Sequence, residues 1–511
     1  MVSRTIVCIL MLSLSLSIPV ASQQKSSPSA PDFSEVRKLI QTQMVTRGIP
    51  SFSVAVAQHG QIIWEEAFGF ADKEKRIPAN KETMYYIAST TKTFTATALK
   101  VLEERKQIDF ARPINDYIKP MAVTSPLWDV REATVGKVAQ HMGGLTTFGR
   151  SCYADQPNCR VSAAETIKRY GIVFWRPGDH FDYSNLGYGI LGEAIQGASG
   201  KSYADFMRDE VFLPLGMNHS SVGIGPGFEK YAAVRYSLKD GRHPVALSAS
   251  PGASAIYTTA HDLALFGMFH LKAHLPNQKP ILSDKSIEVM QNSTVATDGS
   301  SRYGVGWWVD EDLNGYRSLL GQGGTDDAMA FLRLIPSEEI AVVMLTNTGD
   351  GAPPQVVDEI LSVLLPPFRA KREASANAKP SPPKPESKPS TSFVGNWVGH
   401  IHTYHGDLPF TLSISASGDV QGTLNSAAVE TVKKFEFTER GLLGRLTGNL
   451  GADEDAGPGP YDLDFELYLK GDTLYGSTTT RPRPNTRYGS RLSYWVELRH
   501  KKAQKAQNAF R

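Results

Sequence analysis

The sequence predicts an α+β fold in which an antiparallel sheet is flanked by helices, followed by a separate C-terminal all-β domain. Strand-like segments occur at both ends of residues 32–368, with mainly helical and loop-like sequence between them, so one sheet can form from the two ends. Residues 392–500 show period-two alternation punctuated by glycine, which is typical of a meander or small barrel. The Lys-, Ala-, Ser- and Pro-rich residues 369–391 predict a linker between the two domains.

Each element of the first segment has a local signal. Asp32 and Glu35 are spaced for a capping box ahead of apolar residues at helical intervals, which predicts a first helix. His59-Gly60 is a tight-turn signal and predicts a hairpin. The predicted strands are residues 53–57, 62–68, 328–335 and 340–346, and the predicted closing helix is residues 356–365.

The C-terminal segment has three clear alternating runs, at residues 412–415, 462–468 and 494–498, and each predicts a strand. The lysine-rich residues 501–511 predict a frayed basic tail.

Composition excludes several classes of protein. The 511 residues carry 54 Lys and Arg against 52 Asp and Glu, a net charge of +2, so no overall field favours a nucleic-acid partner. Hydrophobic residues make up 41% of the chain, enough to bury a core. Three cysteines are too few for a disulfide scaffold and form no paired C-x-x-C sets for zinc.

Residues 1–22 predict a cleaved export signal. Arg4 precedes an apolar run over residues 6–16, and Val20-Ala21-Ser22 offers small residues to signal peptidase. The alternative is a membrane anchor, but the apolar run is shorter than the roughly 20 residues that a spanning helix needs. We therefore expect an exported protein, periplasmic or extracellular, with no membrane span in the mature chain.

Two cysteines remain after the leader. Pro157 and Asn158 favour a turn between Cys152 and Cys159 that could bring the thiols together. The alternatives are a small disulfide loop in an oxidising compartment and two free thiols.

The stretch Ser89-Thr90-Thr91-Lys92 carries the strongest chemical signal. Apolar residues at helical intervals follow it, so Ser89 opens a buried helix and Lys92 lies on the same face, one turn along. A serine hydroxyl is inert near neutral pH unless a base takes its proton, and a lysine can be that base if burial lowers its pKa. The alternative is a serine that only caps the helix.

Tyr183-Ser184-Asn185 is a second candidate element. The tyrosine can pass a proton between the serine oxygen and a leaving group, and the asparagine can hold both the lysine and a substrate carbonyl. Without Ser89 and Lys92, the same residues would be a core tyrosine beside a turn-forming asparagine.

Residues 32–347 resemble the serine hydrolases that include class C β-lactamases, DD-peptidases, D-aminopeptidases and related esterases. The segments that carry the resemblance share the family's order along the chain: Gly69-Phe70-Ala71-Asp72, Ser89-Thr90-Thr91-Lys92, His141-Met142-Gly143-Gly144-Leu145, Tyr183-Ser184-Asn185, Pro214-Leu215-Gly216-Met217, Thr258-Thr259-Ala260-His261-Asp262-Leu263 and Tyr303-Gly304-Val305-Gly306-Trp307-Trp308. The resemblance implies a β-lactamase/transpeptidase-like fold, and the C-terminal segment resembles the lipocalin-like β domains of some members.

The resemblance also implies roles for single residues. Ser89 would be the acylated nucleophile, Lys92 the base and Tyr183 the general acid/base, with Asn185 assisting and no cofactor or metal required. His141, His180 and His261 are rival bases in principle, but each is expected to be structural.

A third motif departs from the family pattern. The family has Lys or His, then Thr or Gly, then Gly, whereas Gly321-Gln322-Gly323-Gly324-Thr325 places a neutral Gln322 there. The backbone N–H of Thr325 is expected to join that of Ser89 in the oxyanion hole, and Gln322 and Gly323 to line the substrate site. Without a cation, hydrolysis of carboxylate-bearing β-lactams is disfavoured.

The expected function is therefore an exported serine hydrolase that cleaves an amide or ester bond of a small molecule or short peptide through an acyl-enzyme on Ser89. Small esters, D-amino-acid peptides and cell-wall stem peptides are the candidate substrates. The alternatives are a non-catalytic binding protein in which Gln322 marks a degenerate site, and a true β-lactamase. The sequence leaves the oligomeric state and the role of the C-terminal domain open.

Overall fold

The computed structural model describes residues 31–149, 153–156, 162–245, 247–248, 250–349, 354–376, 390–425, 427–438, 441–450, 460–481 and 490–501. The predictions for the leader, for Cys152 and Cys159, for most of the linker and for nearly all of the basic tail lie outside these residues.

The helices are numbered in chain order: α1 (Ser34–Arg47), α2 (Thr91–Glu104), α3 (Val135–Ala139), α4 (Ala163–Tyr170), α5 (Asn185–Ser199), α6 (Tyr203–Met207), α7 (Pro251–Ser254), α8 (Ala260–His270), α9 (Asp284–Asn292), α10 (Gln355–Leu364) and α11 (Pro366–Ala376). The strands of the first domain are β1 (Ser51–Gln58), β2 (Gln61–Asp72), β3 (Ile77–Pro78), β4 (Tyr85–Tyr86), β5 (Ser220–Val222), β6 (Tyr236–Ser237), β7 (Gly241–Arg242), β8 (Ile256–Thr258), β9 (Val295–Ala296), β10 (Arg302–Tyr303), β11 (Trp308–Leu313), β12 (Tyr316–Thr325), β13 (Ala328–Ile335) and β14 (Ile340–Thr346). Those of the C-terminal domain are β15 (Gly395–Thr403), β16 (Gly406–Ile414), β17 (Val420–Leu424), β18 (Glu430–Thr431), β19 (Lys433–Phe437), β20 (Gly441–Gly448), β21 (Tyr461–Lys470), β22 (Thr473–Arg481) and β23 (Ser493–His500).

One antiparallel sheet joins the two ends of the first domain, as predicted. Its nine strands lie in the order β3-β2-β1-β14-β13-β12-β11-β10-β9. The N-terminal hairpin turns at His59-Gly60, where both residues have positive φ, and β1 pairs with β14 from the far end of the domain. The non-local pairing of β1 with β14 brings the N-terminal hairpin beside the strands that carry the third motif.

Helices cover both faces of this sheet, and the alternation of side chains along its strands explains why. Along β14, Val342 packs with α1 and α10 on one face, whereas Val343 packs toward α2 and α8 on the other. Every residue of β14 is buried, which is the pattern of a strand covered on both sides. The predicted antiparallel sheet flanked by helices is confirmed.

The C-terminal domain is a second antiparallel sheet of nine strands, in the order β18-β17-β16-β15-β23-β22-β21-β20-β19. Its two terminal strands are consecutive in the chain, so the sheet curls into a nearly closed barrel. In β21, buried residues alternate with half-buried ones from Tyr461 to Tyr468. The predicted all-β domain is confirmed. Among the described helices, none is long and apolar enough to cross a bilayer.

Two local expectations need amendment. The first helix begins at Ser34 without a capping box, and Asp32 Oδ1 instead accepts from the Ser34 N–H at 2.9 Å. At the start of the predicted linker, α11 continues to Ala376 because the helix-breaking prolines begin only at Pro380. Arg372 on α11 donates to Glu359 and Ser362 of α10, which holds this extension against the domain.

Aromatic side chains pack the barrel against the first domain. Phe174 and Trp175 cluster with Trp495 of β23, and the Trp175 and Tyr468 rings meet edge to face at 4.7 Å. Ser493 Oγ donates to the Thr147 carbonyl at 2.8 Å. The barrel therefore contacts loops that lead directly to the Tyr183 segment.

The two sides of α1 allow a test of the described core. Ile40 is fully buried against the sheet, whereas Val45 on the same helix is 84% exposed. We expect Ile40→Ala to lower the free energy of unfolding by about 2–5 kcal/mol, because it removes packed methylenes and leaves a cavity. Val45→Ala should change it by less than about 0.5 kcal/mol. Urea unfolding monitored by tryptophan fluorescence measures both, and equal effects would contradict the described packing.

Candidate active site

Ser89 lies in a single 3₁₀ turn, Ala88–Thr90, that leads into α2. This turn touches the glycine-rich end of β12: a Cβ atom built on Gly323 would lie 2.0 Å from the Ile87 carbonyl oxygen and 2.7 Å from the Ser89 nitrogen. Only glycine permits that approach of the two backbones. The sheet therefore fixes the position of the serine at the mouth of a buried helix.

Lys92 is 2% exposed and its amine has three oxygen neighbours. Nζ lies 3.0 Å from Ser89 Oγ, 2.7 Å from Asn185 Oδ1 and 3.1 Å from the Ala253 carbonyl oxygen. These partners come from the 3₁₀ turn, the start of α5 and α7. Three separate elements thus converge on one nitrogen.

Burial holds the pKa of Lys92 well below its usual 10.5, which favours the neutral amine. A neutral amine has two hydrogens and one lone pair. The oxygens of Asn185 and Ala253 can only accept, so both hydrogens go to them. In this neutral form the lone pair is left to accept from the Ser89 hydroxyl, whereas an ammonium would donate to all three oxygens. This arrangement lets Lys92 take the serine proton.

Tyr183 completes the cluster from the loop before α5. Its ring lies 4.9 Å from Lys92 Nζ and stacks on Trp308. Burial raises the pKa of Tyr183 to about 12, and a hydrogen bond with the Ser89 side chain partly offsets the rise. The phenol therefore keeps its proton near neutral pH and can donate it. The structure brings together all four residues proposed from the first two motifs.

His141 adjoins the cluster but cannot serve as its base. Its ring lies 4.3 Å from the Tyr183 ring, and its Nδ1 accepts from the Ser184 N–H at 3.0 Å. Burial holds the pKa of His141 well below 6.5. In the neutral ring Nε2 then carries the proton, so neither nitrogen has a free lone pair. The histidine instead orients the Tyr183 loop.

The residues of the third motif that face Ser89 are not the ones expected. Gly321 and Gly323 face the nucleophile side of the sheet, where a Cβ on Gly321 would meet Thr93, Thr90 and Trp307. Gln322 lies between them, so its exposed side chain points to the opposite face. The side chain of Gln322 therefore does not face Ser89, and the two residues of this motif that do face it are glycines.

The strand register also shifts the expected oxyanion donor. Thr325 pairs with Ala328 across the two-residue turn Asp326-Asp327, so its backbone N–H is directed toward β13. Hydrogen-bonding direction alternates along a strand, so by this register the N–H of Gly324 points away from β13. Beyond Leu320 this edge of β12 has no recorded pairing with β11, and Gly324 lines the cavity at Ser89, so we infer that Gly324 rather than Thr325 is the donor. The Thr325 hydroxyl instead donates to Asp327 Oδ1 at 2.6 Å.

A cavity of about 590 Å³ opens at Ser89. Asn185, Gly324 and Thr325 line it together with apolar residues of several loops, whereas Gln322 and Gly323 are not among its lining residues. Its volume suits a small-molecule or short-peptide group.

Two features of this site have no signal in the sequence. The Ala253 carbonyl binds Lys92, but any residue type offers a backbone carbonyl, so only the fold reveals its role. Asp182 lies between the domains beside Glu466 of β21, and burial followed by the Glu466 charge raises its pKa to about 7. The raised pKa of Asp182 depends in part on Glu466 of the barrel, which is distant in sequence, so no local motif could predict it.

One described cluster could hold a metal ion. Asp240, His243 and Asp326 place one ligand atom each within 4.8 Å of one another. Both carboxylates are exposed, and the His243 Nδ1 is already hydrogen-bonded to Asp327 at 2.8 Å. The chemistry available to Ser89 and Lys92 does not require this cluster.

Two solved structures are similar to the described fold. A structure of the octameric penicillin-binding protein homologue from Pyrococcus abyssi is similar over 90% of this chain and all of its own, with a TM-score of 0.58 and 22% identity. A class C β-lactamase is similar over 68% of this chain and 97% of its own, with a TM-score of 0.53 and 20% identity. At this identity the likeness establishes the fold.

Curated relatives agree. Protein flp of Staphylococcus aureus is 24% identical over 333 residues, which cover 64% of this chain and 65% of that protein. The chain thus matches about two thirds of the length of that relative. The unguisins hydrolase ungD' of Aspergillus campestris is 26% identical over 422 residues, 74% of this chain and 77% of that protein.

Fold and relatives together place the chain in the class of proteins with the β-lactamase fold. The Beta-lactamase family model matches residues 36–365, and the chain belongs to this family.

The interdomain carboxyl predicts a pH-dependent stability. Because the folded pKa of Asp182 is raised to about 7, the folded chain keeps a proton that the unfolded chain loses above about pH 4. Stability is therefore lost as pH rises from about 4 to above 7. Asp182→Asn removes this loss while its oxygen can still accept from Trp175 Nε1.

We expect the melting temperature of Asp182→Asn to rise above that of the wild type by an amount that grows between pH 4 and pH 8. The corresponding gain in the free energy of unfolding is at most ~4 kcal/mol. Asp179→Asn, at an exposed neighbouring carboxylate, is the control and should follow the wild type. Differential scanning fluorimetry measures the difference. A difference that does not change with pH would contradict the raised pKa of Asp182.

Proposed function

We propose that this protein is an exported serine hydrolase that cleaves an amide or ester bond through an acyl-enzyme on Ser89. The observation that carries the proposal is the buried Lys92 amine 3.0 Å from Ser89 Oγ, because in the neutral form that burial favours its lone pair can accept the Ser89 proton. Membership of the β-lactamase family and a relative named as a hydrolase support the reaction class.

The proposed reaction has two half-reactions. Ser89 Oγ attacks the substrate carbonyl carbon while its proton passes to Lys92 Nζ. The carbonyl oxygen becomes an oxyanion, held by the backbone N–H groups of Ser89 and Gly324. Tyr183 donates its proton to the leaving amine or alcohol as the carbon–leaving-group bond breaks, and the proton on Lys92 restores the phenol.

Water completes the turnover. It attacks the acyl carbon and gives up one proton to the Lys92 and Tyr183 pair, and the ester bond to Ser89 Oγ breaks as that oxygen regains a proton. The acid is released and the serine returns to its initial state. Asn185 keeps Lys92 in place in both half-reactions.

The proposed substrates are small esters and short peptides rather than β-lactams whose carboxylate depends on a cation of β12. With glycine at position 321, β12 supplies no cation to the side of the sheet that faces Ser89. A β-lactam ring would therefore lack a charged partner for its carboxylate at this strand. Rapid turnover of nitrocefin would favour the alternative of a true β-lactamase.

Labelling of the nucleophile tests the acyl-enzyme. A fluorophosphonate probe should modify Ser89, and Ser89→Ala should abolish both labelling and hydrolysis of p-nitrophenyl esters. Ser381 begins the same S-x-x-K spacing and provides a matched control, since Ser381→Ala should retain both. Labelling of another serine would exclude Ser89 as the nucleophile, and hydrolysis without labelling of any serine would exclude the acyl-enzyme.

The pH profile tests Lys92 as the base. Because only the neutral amine accepts a proton, kcat/KM for a neutral ester should fall as pH drops through the lowered pKa of Lys92. Lys92→Met should lose at least ~100-fold in kcat/KM together with this acidic limb.

Lys100→Met is the matched control, because Lys100 is a buried lysine on the same helix that pairs with Glu103. It should keep the shape of the profile. An unchanged acidic limb in Lys92→Met would assign the base to another group.

A non-catalytic binding role is the other function class. It predicts no turnover with any ester, amide or β-lactam even when Ser89 is intact. The intact contacts between Ser89, Lys92 and Asn185 favour catalysis, since a decayed site has no need of a buried lysine.

Export is part of the proposal and rests on residues 1–22. Fractionation of the producing cell should find the chain outside the cytoplasm with its N-terminus near residue 23. Full-length protein in the cytoplasm would contradict export without affecting the proposed chemistry.

A further inference from the structure

The cavity at Ser89 has a distinct charge pattern. Among the described residues that line it, the charged side chains are Arg235 and Arg491, both cationic. Arg491 belongs to the C-terminal domain and is anchored by two backbone hydrogen bonds with Gly149, at 2.8 and 2.6 Å. The first domain and the barrel thus each contribute one cation to the same cavity.

Arg235 is only 5% exposed and is paired with Asp327 through one nitrogen. Its Nη2 donates to both carboxylate oxygens, at 2.6 and 2.5 Å. Asp327 also accepts from Thr325 Oγ1 at 2.6 Å and is hydrogen-bonded to His243 Nδ1 at 2.8 Å. Each oxygen of Asp327 therefore already has two partners, which is about the capacity of a carboxylate.

The remaining donors of Arg235 make no close hydrogen bond. Among the residues that the structure describes, Arg235 Nε and Nη1 and the Tyr257 hydroxyl are buried without a partner at hydrogen-bond distance. Burial raises the pKa of Tyr257, and the charge of Arg235 and a longer side-chain contact between the two residues partly offset that rise. Arg235 and Tyr257 line the same cavity as Ser89. A buried donor without an acceptor is costly to stability, and more so when it is charged. A ligand oxygen would satisfy these donors.

The donors are also held rigidly. The guanidinium lies 4.3 Å above the Tyr86 ring, and the Tyr86 ring packs against Tyr257 at 5.3 Å. Tyr86 and Tyr257 face each other as cross-strand neighbours of β4 and β8. Such a site binds without first ordering its side chains.

We propose that Arg235 and Tyr257 form a subsite that binds a carboxylate carried by the substrate, so that Ser89 acts preferentially on anionic esters or amides. A carboxylate is the matching acceptor because guanidinium N–H groups and a phenol hydroxyl can bind its two oxygens together. The subsite is distinct from the third motif, whose strand offers no cation. This inference rests on the proposed function of Ser89.

Two p-nitrophenyl esters of equal acyl length test the subsite. Mono-p-nitrophenyl adipate carries a terminal carboxylate, and p-nitrophenyl hexanoate does not. The wild-type chain should have a kcat/KM about tenfold or more higher for the adipate ester. Tyr257→Phe should lower this preference at least about fivefold, and Arg235→Gln should abolish it.

Tyr257→Phe is the decisive variant because Arg235→Gln leaves Asp327 without its cation and could unfold the chain. Tyr85→Phe is the matched control. Tyr85 is the neighbour of Tyr86 on β4, and its buried hydroxyl donates to Ser51 Oγ outside the cavity. It should keep the wild-type preference.

Binding of free adipate to the full chain, measured by calorimetry with wild type and Ser89→Ala, separates the two proposals. Adipate binding that Tyr257→Phe weakens supports the subsite even if neither ester is turned over, in which case only the hydrolase proposal fails. Turnover of both esters with no preference for the adipate ester, or a preference that Tyr257→Phe leaves intact, would overturn the subsite alone.

Discussion

A lysine amine enclosed by carbonyl oxygens is the constraint on which this site depends. Lys92 has two neighbours that can only accept and one that can also donate, and burial favours its neutral form. The direction of the hydrogen bond between Ser89 and Lys92 follows from that count of donors and acceptors. The reactivity proposed for the serine therefore has its origin in the placement of Asn185 and of the Ala253 carbonyl, which contact Lys92 and not Ser89.

The sheet keeps these groups in place. Gly323 lets β12 approach the backbone of the serine turn closely, and the turn is continuous with α2, on which Lys92 lies one turn further along. A larger residue at position 323 would displace either the strand or the serine. His141 supports the other side of the cluster through the Ser184 N–H, so that Tyr183 and Asn185 are positioned by one short segment. Ser89, Lys92 and Tyr183, which we propose as nucleophile, base and proton donor, are thus held in place by the backbone segments that carry them.

Much of the fold was predictable from sequence because its signals are local. The hairpin at His59-Gly60 needs only its turn residues, and the pairing of Ser89 with Lys92 follows from helical spacing. The phase of β12 was not predictable, since whether Gly321 or Gln322 faces the serine depends on the pairing with β13 and on the packing of α2. Arg235 carried no motif, and its position in the cavity depends on contacts with Asp327 and Tyr86 that are distant in sequence.

The proposed chemistry depends most on the neutral state of the Lys92 amine, and this protonation state can be measured directly. An NMR titration of the lysine side chains in the full-length chain, with Lys92→Met used to assign the signal, reports the pKa of this amine. We expect a half-titration well below the usual 10.5, with the neutral amine present while the chain is folded. A Lys92 signal that stays that of an ammonium up to pH 10 would contradict the account, because Nζ would then have no lone pair to accept the Ser89 proton.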